Sequence, residues 1–486
     1  MTPLAPKKPR RPLIWTDTVL DLQDLLLETD QPVYIVGGAV RDAYLHRPLH
    51  DLDLTVPQDA IKLGRQIANA LDGNIYVLDH ERDVARVLLE RPDGRFVVDV
   101  ARYRGDDLLA DLMDRDFTFN AMAVDMKSDL TQLIDPLNGE QDLLDKVLRQ
   151  CHDQSIHDDP IRALRAIRQS VQLTTRIEPN TLQAIRDGAY RILDVSAERV
   201  RDEFWKVLNL QKAHTALQVA ETIGVANIFI PDITPLKGLE LPKPHLFDGW
   251  RHTLMTIEKL RGILQTISPN RTDLTAAVFD LGMIVMTLDR FRQELQTHIS
   301  QHWADERSHY ALLTFGALMH YTGMPDETAA GRITEDRATD LRLSNDEKKR
   351  IISTVSYFRD VFEMPLDDLH MHRFWRAYDA SGVDMCLLAM ANYLAMMGTQ
   401  IKQDEWIELV ERVRTLLDAY YQRYEQIVEP PQLINGDDLM ALLDLKPGKH
   451  IGELLTYLRE AQVVGDIQTR EDAIQAAEDW QNRTNE

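Results

Sequence analysis

A change in hydrophobic pattern at about residue 108 most constrains how this chain can fold. Before that point, stretches with the length and alternation of strands are interspersed with helical patterns; beyond Leu108 the periodicity is almost entirely helical. The sequence therefore predicts an α+β protein, with a compact N-terminal α/β head and a helical remainder. The expected elements of the head are a helix within 14–28, helices at 39–45 and 58–71, strands at 33–36, 50–56, 74–79, 84–90 and 95–101, and a hairpin turn at Pro92-Asp93-Gly94.

The length of 486 residues exceeds that of a single ordinary core, so several domains are expected. Proline-rich breaks near 231–244 and at 429–431 are the best linker candidates. The predicted segments are an N-terminal helix with its extension (1–30), the head (31–150), a helical neck (151–230), a helical body (231–428) and a helical tail (429–486).

Composition narrows the location and the partners of the chain. No apolar run is long enough to cross a bilayer, and the basic N-terminus lacks the apolar segment of a signal peptide. The two cysteines, Cys151 and Cys386, lack metal-ligand spacing, which favours a reduced cytoplasm. A net charge of −23 argues against indiscriminate binding of nucleic acid, although it leaves room for a local basic groove.

A glycine pair stands where the first predicted strand gives way to a helix. Gly37 and Gly38 would let backbone amides approach a phosphate closely, and Arg41 would add positive charge beside the helix N-terminus. The alternative interpretation is a tight turn with no ligand, because paired glycines before a helix are often only that.

Three aspartates suggest a site for hard cations. Asp51 and Asp53 are two residues apart on a predicted strand, so both carboxylates point to one face. Asp99 is an acid within the apolar run Val97–Val100, where an unpaired carboxylate would be costly. Shared Mg²⁺ ions would neutralise all three and complete a two-metal site. The alternative is a solvated strand with surface acids.

Two charged segments follow the last predicted strand. Arg115 and Asp116 open the sequence RDFTFNAMA. Asp159, Arg162 and Arg165 recur at three-residue steps, which we expect to lie on one face at the start of a helix. The alternative interpretation is a surface ion-pair ladder.

Taken together, these segments resemble a known family. GGAVRD, DLD, RDFTFNAMA, DPLNGEQDLLDKVLR and DDPIRALRAIR occur in this order between residues 37 and 168. The series is similar to the class II tRNA nucleotidyltransferase and bacterial poly(A) polymerase family over roughly 31–210. The resemblance implies a polymerase-beta-like nucleotidyltransferase head followed by a helical neck, body and tail.

The resemblance also implies roles for individual residues. Asp51, Asp53 and Asp99 would be the catalytic carboxylates and would hold two Mg²⁺ ions. The nucleotide would be bound by Gly37, Gly38, Arg41, Arg115, Asp116, Asp159, Arg162 and Arg165, with Asp159 and Arg162 reading the base edge of CTP or ATP. The partners would be these nucleotides and the 3′ end of tRNA; the sequence does not fix an oligomeric state.

The resemblance makes the number of nucleotides added to tRNA depend on the connector between Arg104 and Asp116. In CCA-adding members a long flexible loop lies between the segments that correspond to Arg104 and Asp116, and here it is nearly absent. Members without that loop resemble CC-adding enzymes, so CC addition and CCA addition both remain open. Poly(A) polymerase is a further alternative. Members of that subgroup carry a basic segment ahead of the strand with the third carboxylate, and Leu78–Arg82, which stands at that place here, does not match it.

The C-terminal half offers alternatives from other functional classes. Residues 245–360 resemble a degenerate HD domain, in which Tyr321 replaces the metal-binding aspartate. A phenol is a poor substitute for a carboxylate ligand, so His252 and His320 are expected to pack in a scaffold rather than support a phosphohydrolase. A non-catalytic RNA-binding scaffold would require loss of the three aspartates, which are present.

The tail carries basic residues that could meet tRNA, namely Lys446, Lys449, His450 and Arg459.

Overall fold

A computed structural model describes residues 4–92, 94–269, 271, 279–326 and 328–485. Asp93, the centre of the predicted hairpin turn, lies outside the described residues. The strands are β1 (Tyr34–Val36), β2 (Asp51–Val56), β3 (Asn74–Asp79), β4 (Val84–Arg91), β5 (Gly94–Arg102), β6 (Ala123–Asp125), β7 (Val147–Leu148) and β8 (Arg176–Ile177).

The helices follow in chain order. They are α1 (Asp17–Leu26), α2 (Gly38–Tyr44), α3 (Ala60–Ala70), α4 (Leu108–Met113), α5 (Gly139–Leu144), α6 (Ser155–Asp158), α7 (Arg162–Leu173), α8 (Pro179–Gly188), α9 (Ala197–Leu208), α10 (Ala213–Ile223), α11 (Ala226–Phe229), α12 (Gly249–Thr266), α13 (Phe279–Leu288), α14 (Arg292–Ile299), α15 (His309–Met319), α16 (Ala329–Asp340), α17 (Asn345–Tyr357), α18 (Asp360–Glu363), α19 (Asp368–Tyr378), α20 (Ala380–Met397), α21 (Gln403–Tyr421), α22 (Gly436–Leu443), α23 (Lys449–Val463) and α24 (Arg470–Asn485).

Six strands form one sheet, in the order β3-β4-β5-β2-β1-β6. Strands β2 and β5 are parallel and the other pairs are antiparallel. Helix α3 packs against β3, β4 and β5. Alternate residues of the central strands, among them Ala85, Val87, Val98 and Val100, are fully buried. The intervening residues, among them Asp51, Asp53 and Asp99, therefore point to the other face of the sheet. The predicted α+β class is confirmed.

The expectation of an almost purely helical chain beyond Leu108 is wrong in two places. Strand β6 pairs with β1 and completes the sheet, and β7 pairs with β8 in a small parallel sheet. These strands have three or two residues each. A run this short does not display an alternating pattern, so the periodicity of the sequence could not reveal it.

The chain divides into two compact units. The first comprises Met1–Ser196 and Val219–Phe229 and contains both sheets; the second comprises Ala197–Gln218 and Ile230–Glu486 and is helical where it is described. Helix α20 lies at the centre of the second unit and packs against α12, α17 and α21. By length and composition alone it could cross a membrane, so the expectation that no apolar run is long enough is wrong. However, 89% of its most apolar stretch is buried inside the protein, as in a core helix.

The C-terminal helices α22, α23 and α24 share a small apolar core. Leu439, Leu454 and Ala473 are buried in it. Asn435 caps α22, since its side chain accepts a hydrogen bond of 2.8 Å from the backbone N–H of Asp438. Arg373 of α19 and Glu460 of α23 form an ion pair with a distance of 2.6 Å.

Candidate active site

The three predicted carboxylates lie together on two neighbouring strands. Asp53 of β2 is the register partner of Asp99 of β5, and Asp51 stands one pleat away on β2. Leu52, between the two aspartates of β2, is buried on the opposite face, whereas Asp51 is exposed and Asp53 is half-buried. Asp99 therefore stands on the strand next to Asp51 and Asp53, on the same face of the sheet.

The surroundings of Asp53 make its ionisation costly. Burial raises the pKa of Asp53. The positive charges of Arg115 and Arg104 lower this pKa, the negative charges of Asp99 and Asp51 raise it further, and the net shift is upward. The carboxylates are thus held in a place where a bound cation would stabilise their charged forms.

Gly37 brings the backbone close to this group. It has a φ of +75°, immediately after β1, and begins the turn into α2. A Cβ placed on Gly37 would lie 2.8 Å from Oδ2 of Asp53 and 3.1 Å from Nη1 of Arg115. Only glycine therefore fits between the carboxylate and the guanidinium. The space beside Asp53 and Arg115 depends on this missing side chain.

Asp99 has a partner that the sequence pattern did not reveal. Arg86 of β4 donates two hydrogen bonds of 2.8 Å to its carboxylate, from Nε and from Nη2. Arg86 is also the register partner of Asp99 in the β4–β5 pair. The available signal was the period-two position of Arg86 in its strand, which places it on the face of Asp99.

Arg115 lies two residues beyond the end of α4, and its side chain is mostly buried, with 11% exposed. Its Nη2 donates a hydrogen bond of 2.8 Å to Oδ2 of Asp111. Because Asp111 accepts only at one side of the guanidinium, Nη1 is left near Gly37 and Asp53. The structure therefore brings Arg115 into the carboxylate group.

Asp116 is the centre of a buried polar network. Its Oδ1 accepts hydrogen bonds of 2.8 Å from Asn120 and from the backbone N–H of Phe117, and its Oδ2 accepts bonds of 2.9 and 2.7 Å from Arg165. Burial alone would raise the pKa of Asp116, but Arg165 and these donors outweigh it and hold the pKa well below its usual range. Asp116 is therefore a fixed negative charge.

Arg41 belongs to the same network. Its Nη1 donates to Asn120 at 2.8 Å and to Gln169 at 3.2 Å, and its remaining nitrogens pair with Asp42. Its side chain is 10% exposed. Arg41 thus links α2 to α7, while Gly38 lies against its guanidinium. Asn120 and Gln169 were not among the predicted site residues.

Asp159 does not share a helical face with Arg162 and Arg165, so that expectation is wrong. Helix α7 begins only at Arg162, and Asp159 follows α6 with extended backbone angles of −138° and 94°. Pro160 explains the break, because a residue that precedes proline is disfavoured in the α-helical region. Asp159 is half-buried beside the helix start rather than on it.

Arg162 and Arg165 have different partners. Arg162 donates to Ser155 Oγ at 2.7 Å and to the carbonyl of Asp114 at 2.6 Å, whereas Arg165 binds Asp116. Arg162 therefore fixes the segment before RDFTFNAMA to the neck helix. The same carbonyl of Asp114 accepts a hydrogen bond of 3.2 Å from Arg104, another cation that was absent from the predicted site.

The histidines of the HD-like region are buried in the second unit. His252 and His320 are 1% and 0% exposed, and their Nε2 atoms lie 2.9 and 3.3 Å from Oδ1 of Asn392. Tyr321 is also buried and lies 2.8 Å from Nε2 of His245 through its hydroxyl. These contacts fit packed, neutral side chains.

A second histidine group has the composition of a metal site. Among the described residues, three potential ligand atoms come within 4.8 Å of one another only at His298, His309 and Asp384. Both histidines lie at hydrogen-bond distance from Asp384, at 2.7 and 2.8 Å. The Trp303 indole N–H donates to Nδ1 of His309, so the ring proton of His309 is on Nε2 and points to Asp384. The group is therefore a hydrogen-bonded network around a buried carboxylate.

Comparison with known proteins agrees with this organisation. Residues 33–149 match the family described as "Poly A polymerase head domain". Residues 176–237 match the family described as "Probable RNA and SrmB- binding site of polymerase A", and residues 317–477 match the one described as "tRNA nucleotidyltransferase domain 2 putative". A CCA-adding enzyme solved in complex with ATP is 20% identical, with a TM-score of 0.61 and coverage of 96% of each chain, which shows a shared fold.

Two curated relatives extend over almost the whole chain. The CC-adding tRNA nucleotidyltransferase of Geobacter sulfurreducens is 30% identical over 90% of each sequence. The A-adding tRNA nucleotidyltransferase of Deinococcus radiodurans is 29% identical over 93% of this chain and 96% of its own. The chain belongs to the tRNA nucleotidyltransferase family, as the ordered motifs predicted.

Proposed function

We propose that this chain adds cytidine nucleotides from CTP to the 3′ end of tRNA, without a nucleic-acid template, and stops after CC. The observation that carries the reaction type is the register of Asp53 with Asp99, with Asp51 on the same face and Arg115 beside them. Such a group suits attack of a ribose hydroxyl on an α-phosphate with release of pyrophosphate.

The carboxylates fit divalent metal ions. Their oxygens are hard ligands, and the upward pKa shift of Asp53 marks a charge cluster that a cation would stabilise. We propose that Asp51, Asp53 and Asp99 hold two Mg²⁺ ions. When bound, such ions lower the pKa of an attacking hydroxyl and neutralise charge on the leaving group.

The chain's own residues would position the nucleotide. Gly37 leaves space beside Asp53, and Arg115 presents Nη1 to that space, where it would attract the triphosphate. Gly38 begins α2, and Arg41 holds that helix to α7 through Asn120 and Gln169. In this proposal Arg41 acts by fixing the turn that carries the two glycines.

Selection of the base is assigned to the start of the neck. Asp159 offers carboxylate acceptors and Arg162 offers a planar fork of donors, which together can match the edge of cytosine. Asp116 and Arg165 form the fixed ion pair that supports them. Protein side chains would thus replace a template strand.

The product is inferred from the connector between β5 and the RDFTFNAMA segment. Strand β5 ends at Arg102 and α4 begins at Leu108, so a short turn and a helix fill this stretch. The shortness of the connector and the similarity to a CC-adding relative both favour CC addition. Addition of the terminal A alone is the second candidate, because an A-adding relative is nearly as similar.

Product length tests the proposal directly. Purified protein is incubated with tRNA transcripts that end before the CC, after the CC and after a complete CCA, with CTP and ATP supplied separately and together. We expect two cytidines on the first transcript and no extension of the others. Extension of the CC-ended transcript with ATP would instead identify A addition if the first transcript gains no cytidine, and CCA addition if the first transcript is completed to CCA. Long products would identify a poly(A) polymerase.

We also propose that the protein is located in the cytoplasm. Cys151 is half-buried and Cys386 is buried, and both are free thiols. Free thiols and a tRNA substrate both fit the reduced cytoplasm.

A further inference from the structure

The sheet face that carries the carboxylates continues past them to the sheet edge. Asp53 is the register partner of Asp99, Asp99 of Arg86, and Arg86 of Tyr76 on β3. Register partners on neighbouring strands project to the same face. A row of side chains therefore runs from Asp53 to Tyr76, which stands on the edge strand.

The outer part of this face is open to solvent. Tyr76 is 54% exposed and Leu78 is 52% exposed, while Leu88 on the adjacent strand is half-buried. On the reverse face, by contrast, β3, β4 and β5 are covered by α3. An exposed tyrosine on a sheet face, with Leu88 on the same face, offers a flat surface on which a nucleobase can stack.

The position of Tyr76 indicates which part of the substrate it would meet. The residues assigned to the nucleotide lie on the β1 side of the carboxylates, since Gly37 follows β1 and contacts the space shared by Asp53 and Arg115. Tyr76 lies on the opposite side, across β5 and β4. Attacking and leaving oxygens are roughly in line in this chemistry, so the RNA hydroxyl must approach from the side away from the triphosphate.

The distance between Asp53 and Tyr76 sets how many nucleotides would separate a base at Tyr76 from the reacting 3′ hydroxyl. Neighbouring strands are ~4.8 Å apart, so the three strand steps from Asp53 place Tyr76 about 14 Å away. A nucleic-acid strand advances at least ~3.4 Å per nucleotide, so this distance corresponds to at most about four nucleotides. Single-stranded 3′ nucleotides are therefore the part of an RNA within reach.

We propose that Tyr76, with Leu88 on the same sheet face, forms a stacking platform for a base of the single-stranded 3′ end of the RNA, within about four nucleotides of the reacting hydroxyl. This inference rests on the proposed function. Stacking also suits this chain because it does not depend on charge, and the net charge of −23 opposes RNA binding by general electrostatics.

Binding of labelled acceptor-stem RNA to the full-length protein tests the platform without catalysis. One RNA has a 3′ overhang of about four nucleotides and the other is blunt; fluorescence anisotropy is measured with EDTA and without nucleotide. For Tyr76→Leu, which keeps apolar volume but removes the ring, we expect affinity for the overhang to fall between five- and a hundredfold. Affinity for the blunt RNA stays at the wild-type value.

Tyr76→Phe is the matched control, because it keeps the ring and should retain wild-type binding of both RNAs. Thermal melts of the variants check that the fold is intact. Unchanged overhang binding by Tyr76→Leu would overturn the platform, and so would an equal loss for both RNAs. Those results leave nucleotide addition by the wild-type protein intact, whereas absence of any addition by the wild type would instead overturn the proposed function.

Discussion

Asp99 and Arg86 form a two-pronged ion pair across β5 and β4, with both hydrogen bonds at 2.8 Å. The pair is partly open to solvent, with side chains that are 29% and 44% exposed. Side-chain hydrogen bonds to Asp99 raise the pKa of the Arg86 guanidinium, against the effect of burial. Arg86 thus neutralises the third carboxylate in the absence of a metal ion, and a cation that binds the aspartates must compete with it.

Replacement of Arg86 should therefore strengthen metal binding. In Arg86→Met we expect Mg²⁺ to raise the melting temperature at lower concentrations than in the wild type, while the melting temperature in EDTA falls because the three acids lose a counter-charge. Thermal melts over a Mg²⁺ titration measure both effects. Arg82→Met is the control, since Arg82 is 84% exposed and lies near Asp79 at the β3–β4 turn. Identical titrations for the two variants would contradict the competition.

Gly37→Ala should damage catalysis more than stability. The added Cβ would lie 2.8 Å from Asp53 Oδ2, so the carboxylate or the strand must shift. A misplacement of about 1 Å near reacting groups can cost about a hundredfold in rate. The backbone conformation of Gly37, with φ +75° and ψ −140°, costs roughly 1–3 kcal/mol for a residue with a side chain. CTP incorporation and urea unfolding measure the two effects.

Gly224→Ala supplies the matched control for that experiment. Gly224 also has a positive φ, of +98°, but a Cβ there would meet nothing within 4 Å. It should lose a similar amount of stability and keep wild-type incorporation. If both variants lose activity equally, the proximity of Gly37 to Asp53 is not the cause.

Asp159→Asn should relax the choice of nucleotide. The amide replaces one carboxylate acceptor by a donor, which alters the pattern offered to a base edge. We expect the preference for CTP over UTP, as a ratio of kcat/KM values, to fall by about tenfold or more, in line with ~1–3 kcal/mol for a lost base contact. Asp158→Asn is the control, because this neighbour is exposed and 52% of its side chain is accessible. Equal selectivity in both variants would place base recognition elsewhere.

The sequence predicted the central sheet well because its strands carry strong signals. Alternation in β2, β4 and β5 located Asp51, Asp53 and Asp99, and the parallel pairing of β2 with β5 brought them together. Side-chain pairings between distant segments were beyond such reasoning. The bond from Arg41 to Gln169 joins residues 128 positions apart, and no local period encodes it. The three-residue spacing predicted Asp159 on the same helix as Arg162. This prediction was wrong because Pro160 keeps the residue before it out of the helix, so that α7 begins only at Arg162.

Two buried histidines of the second unit should make stability depend on pH. Burial lowers the pKa of His252 to about 3, and burial with the neighbouring His252 lowers that of His320 well below its usual value. Both are therefore neutral in the folded protein at pH values where the unfolded chain binds protons. The stability that the two neutral histidines contribute is fully present above the pKa of histidine in the unfolded chain, near 6.5. It is lost progressively as the pH falls below that value.

Between pH 6.5 and pH 5, each of the two histidines should lower the free energy of unfolding by roughly 1.5 kcal/mol. Urea unfolding at both pH values measures the loss. In His252→Gln the wild-type loss should shrink by that amount, because glutamine takes up no proton in either state, although the absolute stability falls. His80→Gln changes an exposed histidine and should keep the wild-type loss. A loss in His252→Gln as large as in the wild type would show that His252 is protonated in the folded protein.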